Sequence, residues 1–267
     1  MVFKALFACS LIFVAGFVGK ESYAHRVKRI VGGTKVVRGE IPYQISLRAF
    51  GQHICGGALI DNGTVITAAH CLCDLVEEPY EGITVIIGSI NLKGDDGKSY
   101  RVVNVQCHPD YIFGKEASWV NDVAIVTLDK AVVITSEVSP IALPDSDVPK
   151  GAKGLLSGWG RDKYPEPWLS KYMLKLEIPI MDYITCQTYQ KNYTILPSHI
   201  CGFAKEGVGS CKGDSGNPLV HNKKLVGIFS WTFPCAMGYP DVYSNVYYFL
   251  DFIKKAIQKS RQFLLKT

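Results

Sequence analysis

The chain has 267 residues with 9 Cys, 13 Pro and 25 Gly; 48% are hydrophobic and 20% charged, which is too apolar for disorder and long enough for one large domain or two small ones. The formal charge of +5 sits mostly before Ile30, where Lys4, Lys20, Arg26, Lys28 and Arg29 face only Glu21. The remainder of the chain is nearly neutral and carries no basic signature of a nucleic-acid partner.

The chain opens with Lys4 and an apolar run, Ala5–Val18. Such a run has the length of an export-signal core and falls short of the about 20 residues that span a bilayer. Residues 1–19 read as a signal peptide, with its end between Gly16 and Ala24. Outside it lie eight cysteines, Cys55, Cys71, Cys73, Cys107, Cys186, Cys201, Cys211 and Cys235. An even set in an exported chain predicts four disulfides. Zinc is disfavoured, because Cys71 and Cys73 lack the C-x-x-C spacing and no histidine pair completes a ligand set.

Short β-type runs then recur: 41–47, 57–60, 65–68, 83–87, 101–105, 123–128, 155–157, 173–180 and 225–230. Many are separated by Gly, Asn, Asp or Pro, which predicts an all-β sandwich or barrel. Residues 134–144 show no pattern and suit a connector between halves. From about Tyr247, apolar Leu250, Ile253 and Ile257 keep helical spacing, with Lys254, Lys255 and Lys259 off that stripe. The helix reads as packed on the domain rather than laid on a membrane.

Three segments carry reactive groups. Thr67-Ala68-Ala69-His70-Cys71 ends an apolar strand with a histidine. Asn121-Asp122 heads the run through Leu128. Gly213-Asp214-Ser215-Gly216 lets backbone approach a ligand and present N–H groups. Each alone has an ordinary structural reading. Together they supply a nucleophile, a base, a group to orient the base, and oxyanion donors, which are the requirements of acyl transfer.

These segments, with Ile30-Val31-Gly32-Gly33, Cys55-Gly56-Gly57, Ser157-Gly158-Trp159-Gly160, Ser230-Trp231 and Tyr239-Pro240-Asp241-Val242-Tyr243, resemble the chymotrypsin family of serine proteases in order and spacing. The stretch from Pro234 to Tyr243 looks most like insect chymotrypsins. The resemblance implies two packed six-stranded antiparallel β-barrels with a C-terminal helix, halves of about 30–140 and 141–267 forming a protease domain of 30–267. It implies Ser215 as nucleophile, His70 as base and then acid, Asp122 as the group that orients His70, and the N–H groups of Gly213 and Ser215 as oxyanion hole. Ser230–Thr232 would be the edge on which substrate adds as a strand.

Residues 20–29 would be an activation propeptide cut after Arg29, with the freed Ile30 amine pairing with Asp214. His53 is similar to the histidine that holds this aspartate in some precursors. The family pairs Cys55–Cys71, Cys186–Cys201 and Cys211–Cys235, which leaves Cys73 and Cys107 for each other. Ser89-Ile90-Asn91 lacks the acids of the family's calcium loop, so no metal and no cofactor are expected. Asn62 and Asn192 head glycosylation sequons.

The selectivity pocket would comprise Gly209, Ser210, Ser230, Trp231, Thr232 and Asp241. Gly209 leaves its floor uncharged, Asp241 could bind a basic side chain, and Thr232 narrows an entrance usually lined by Gly. The balance predicts a secreted endopeptidase cutting after Phe, Tyr and Leu, with an elastase-like or mixed preference as the alternative. The partners implied are protein or peptide substrates, an activating trypsin-like protease and protease inhibitors, with no nucleic acid, no membrane and a monomeric state. Asn217, where the family has Gly, keeps open a non-catalytic homologue that acts by binding.

Overall fold

The computed structural model describes residues 30–266 apart from Asp74, Lys163, Tyr164 and Phe233. The expected signal peptide, the propeptide and Arg29 lie outside the described residues. The strands are β1 (Thr34–Lys35), β2 (Gln44–Ala49), β3 (Gln52–Asp61), β4 (Thr64–Thr67), β5 (Ile83–Ile87), β6 (Lys98–Cys107) and β7 (Ala124–Leu128), followed by β8 (Lys153–Gly158) and β9 (Leu174–Met181). Helix α1 (Tyr183–Tyr189) precedes β10 (His199–Gly202), β11 (Pro218–His221), β12 (Lys224–Trp231), β13 (Asp241–Asn245) and helix α2 (Leu250–Leu264).

Strands β2-β3-β4-β7-β6-β5 close into one antiparallel barrel. Strands β8, β9, β10, β13, β12 and β11 close into a second, because β8 pairs with both β11 and β9; β1 is appended to β9. Closure removes the exposed edges that short strands would otherwise present. The first barrel fills with Ile45, Leu47, Leu59, Ile66, Val85, Ile125 and Leu128. The second fills with Ile30, Leu156, Ile178, Leu219, Phe229 and Tyr243. Each fully buried aliphatic side chain contributes about 1.5–3 kcal/mol.

The patternless connector ties the barrels together. Ser139 N–H donates to Pro42 O and Ile141 N–H to Leu59 O, while Ala142 O accepts from Leu225 N–H across in the second barrel. Helix α2 begins at Leu250 rather than Tyr247, because residues 246–249 turn the chain away from β13: Asn245 Oδ1 accepts from Tyr247 N–H and Val246 O from Phe249 N–H. The helix buries Ile253, Ala256, Ile257 and Ser260, and Ser260 Oγ bonds Thr127 Oγ1 of β7 at 2.7 Å. Its lysines at 254, 255 and 259 are exposed.

Among the described residues four disulfides are formed: Cys55–Cys71, Cys73–Cys107, Cys186–Cys201 and Cys211–Cys235. The Cα atoms of Cys73 and Cys107 lie 6.2 Å apart, within the normal range for a bridge.

Candidate active site

Strand β4, Thr-Val-Ile-Thr, is fully buried to Thr67, and a single 3-10 turn, Ala69–Cys71, then carries His70 out of the first barrel. Cys71 anchors that turn to Cys55 of β3. Asp122 precedes β7 and is completely buried. One carboxylate oxygen accepts from His70 N–H at 2.9 Å and the other from His70 Nδ1 at 2.8 Å. The second oxygen also accepts from Ser230 Oγ, and Ser244 Oγ donates to the Asp122 carbonyl at 2.7 Å. Both serines belong to the second barrel, so each barrel contributes to holding this acid.

The electrostatics arise from that packing. Burial favours neutral Asp122, but His70, Ser230 and the His70 N–H outweigh it, and the carboxyl lies below its ordinary range. Burial lowers His70, while the charge and hydrogen bond of Asp122 outweigh it and raise the imidazole above 6.5. With Nδ1–H donating to Asp122, Nε2 is left as the acceptor.

Ser215 and His70 line one cleft of about 600 Å³, walled by Phe50, Ile54 and Leu75. Among the described residues the side-chain hydrogen bond of His70 goes to Asp122, and none joins Nε2 to Ser215 Oγ. Ser215 sits on a tight turn in which Asp214 N–H donates to Cys211 O and Asn217 N–H to Asp214 O. Gly213 and Gly216 have φ of +92° and +76°, values that disfavour any side chain. A Cβ at Gly216 would also lie 2.3 Å from Thr67 Oγ1. The N–H groups of Gly213 and Ser215 donate no hydrogen bond among the described residues.

The Asp214 side chain is fully buried beneath this turn. It accepts from Gly160 N–H at 2.9 Å, Cys211 N–H at 3.0 Å and Asn217 Nδ2 at 2.8 Å. Burial pushes it up to about 7 despite those donors. Ile30 is fully buried in the second barrel, and Val31 pairs with Gly209. His53 reaches the nucleophile turn at Gly213 rather than at the Asp214 carboxyl. Its Nε2 meets Gly213 O at 3.2 Å and its Nδ1 meets Ser46 Oγ at 2.8 Å, and burial lowers it to about 4. A neutral ring with Nε2–H donating and Nδ1 accepting satisfies both contacts.

Of the expected pocket residues, Gly209, Ser210 and Asp241 come together. Asp241 Oδ2 accepts from Ser210 N–H at 2.6 Å, and a Cβ on Gly209 would stand 2.9 Å from the same oxygen. Burial raises Asp241 to about 6, with the Ser210 N–H opposing. Ser230 and Trp231 end β12, which past Phe229 pairs with β13 alone. Thr232 comes next, half-buried. Cys55 and Cys71 place their sulfurs close to His70, but those sulfurs are bonded to each other and offer no thiolate to a metal.

Asn217 stands where the family has Gly, yet it needs no glycine-like backbone. Its φ is not positive, and its side chain points into the space between the barrels. Sequence reasoning missed Gln44, Ser157 and Ser244, whose partners are remote in the chain. It also missed Trp119 and Tyr193, whose rings pack on Trp231 at 5.8 and 4.9 Å.

A family model described as "Trypsin" matches residues 30–253. The chain therefore belongs to the trypsin family. It is 38% identical to Chymotrypsin-2 of Vespa crabro over 227 residues, covering 85% of this chain and 99% of that protein. It is 37% identical to the Vitellin-degrading protease of Bombyx mori over 238 residues, covering 87% of each. The solved structure of mouse neuropsin, a serine protease, matches with a TM-score of 0.76 at 27% identity, covering 84% of this chain and 98% of that one. No helix of the described residues is long and apolar enough to cross a membrane.

Proposed function

We propose that this chain is an exported serine endopeptidase, made as a precursor, that hydrolyses peptide bonds through Ser215, His70 and Asp122. The observation that carries the reading is an imidazole held at Nδ1 by a buried carboxylate, in a cleft that also contains Ser215. In this reaction Ser215 Oγ attacks the substrate carbonyl carbon as His70 Nε2 takes its proton. The unengaged N–H groups of Gly213 and Ser215 receive the oxyanion. His70 then protonates the leaving amine, and water repeats the sequence on the acyl-enzyme. The Ser215–His70 bond closes when substrate orders the cleft, as apo sites commonly require.

Substrate lies along Ser230–Trp231, where β12 has an unpaired side. Asp241 already accepts from Ser210 N–H, so it draws a basic side chain only weakly. Cleavage after Phe, Tyr and Leu comes first, smaller aliphatics second and basic residues last. Chymotrypsin-2 of Vespa crabro, by its name, fits this order.

Activation is a cut after Arg29 by a trypsin-like protease. A buried carboxyl raised to about 7 has much to gain from a cation, and the freed Ile30 amine supplies one to Asp214. The absence of a Ser215–His70 hydrogen bond among the described residues favours a second reading, a non-catalytic homologue that binds partners. Incubating the Arg29-cleaved protein with a peptide library decides between them. Cuts after aromatic and large aliphatic residues support the proposal; no cuts sink it.

A further inference from the structure

Asn217 occupies a slot built for it. Its amide is completely buried between Gly56 of β3 and Gly158 of β8. A Cβ on Gly56 would fall 1.7 Å from Asn217 Oδ1, and one on Gly158 would fall 1.8 Å from Nδ2. Only glycine on both walls leaves room for this side chain. Nδ2 donates to Asp214 Oδ1 at 2.8 Å. Oδ1 accepts from Gln44 Nε2 at 2.8 Å, and Gln44 Oε1 accepts from Ser157 Oγ at 2.7 Å. Gln44 lies in the first barrel and Ser157 in the second, so one chain of hydrogen bonds crosses the interface and ends on the carboxyl group beside Ser215.

Resting on the proteolytic reading above, we propose that Asn217 is a positioning residue of the nucleophile turn, whose amide clamps Asp214 to the barrel interface and thereby sets Gly213 and Ser215. Asp214 is adjacent in sequence to both oxyanion donors. A shift of its carboxyl turns their N–H groups. The clamp therefore acts on the transition state more than on substrate binding. The groups around the amide are Asp214, with Asp241 behind it, and His53 on the Gly213 carbonyl; Gln44 and Ser157 are neutral.

The test uses the full chain cut after Arg29 with immobilised trypsin. A peptide amide is the substrate, kcat and KM are read from pH 6 to 9, and thermal melts are run alongside. Asn217→Ala should lower kcat by about tenfold or more, the loss expected for a hydrogen bond to a charged group, with KM nearly unchanged. Its ratio to wild type should fall, never rise, as pH drops, because losing this donor makes Asp214 easier to protonate. Asn217→Asp replaces the donor by a carboxyl beside Asp214, and two such groups cannot both ionise cheaply. Its activity relative to wild type should rise as pH falls, because the protonated carboxyl restores the donor. Gln44→Met should reproduce part of the Asn217→Ala loss without adding to it in the double variant. An active wild type whose variants match it, or lose rate in parallel at every pH in step with stability, overturns the role of Asn217. A wild type inert to substrate overturns the proteolytic reading itself.

Discussion

In the proposed reaction His70 accepts a proton from Ser215 and later returns it, so its own affinity for protons sets the working range. Asp122 raises that affinity above the ordinary imidazole value. The protonated ring cannot act as base, so kcat/KM should fall as pH drops, with an apparent pKa above 6.5. Ser215→Ala and His70→Ala should each remove at least about a thousandfold of the rate, and the double variant should be little worse than either. Asp241 makes a separate prediction. It is ionised above about 6 and neutral below. The ratio of cleavage after Lys to cleavage after Phe should therefore decline between pH 8 and pH 5, and His70 cancels from that ratio. A flat ratio would show that Asp241 does not reach the substrate. Thr232→Gly should raise turnover of Phe substrates relative to Val substrates, measured as paired kcat/KM values.

Strands β5 and β7 were legible because five consecutive apolar or β-branched residues leave few alternatives. Strands β10, β11 and β13 were not. They are four or five residues long, and His199, His221, Asp241 and Asn245 break any alternation. Their strand state comes from pairing: β10 and β13 join residues far apart in sequence, such as Ile200 with Tyr243, while β11 folds back on β12 through a two-residue turn. Helix α1 was missed as well. Seven residues carry no usable period, and its one local signal is Asp182, which caps Thr185 N–H. For α2 the apolar stripe was plain, and its energetic content is testable. Ile253→Ala should cost about 2–5 kcal/mol in urea unfolding, while exposed Lys255→Ala should change little. The Cys73–Cys107 bridge, with a sequence separation of 34, closes the loop that follows the His70 turn. Replacing both cysteines by serine should cost about 2–4 kcal/mol, read by the same urea unfolding.

At the scale of the molecule, the order of the motifs made two barrels foreseeable, and the glycines around Ser215 marked the reactive turn. The interface between the barrels was not foreseeable. Asp122 is gripped by His70 from one side and by Ser230 and Ser244 from the other, and Asn217, where the family has Gly, is buried between the barrels. Polar side chains of this kind have no period and no local partner, so only the packed structure shows what they hold. On the proposed activation, the same packing makes activity depend on how the second barrel settles around Ile30 and Asp214. An Arg29→Gln precursor should resist trypsin and stay nearly inert. The most direct measurement is labelling by a fluorophosphonate probe, which reports an activated serine without any choice of substrate. After cleavage behind Arg29, a single label should map to the peptide containing Ser215, vanish in Ser215→Ala and weaken sharply in His70→Ala. No label on the cleaved wild-type protein, or a label on another residue, would contradict the account.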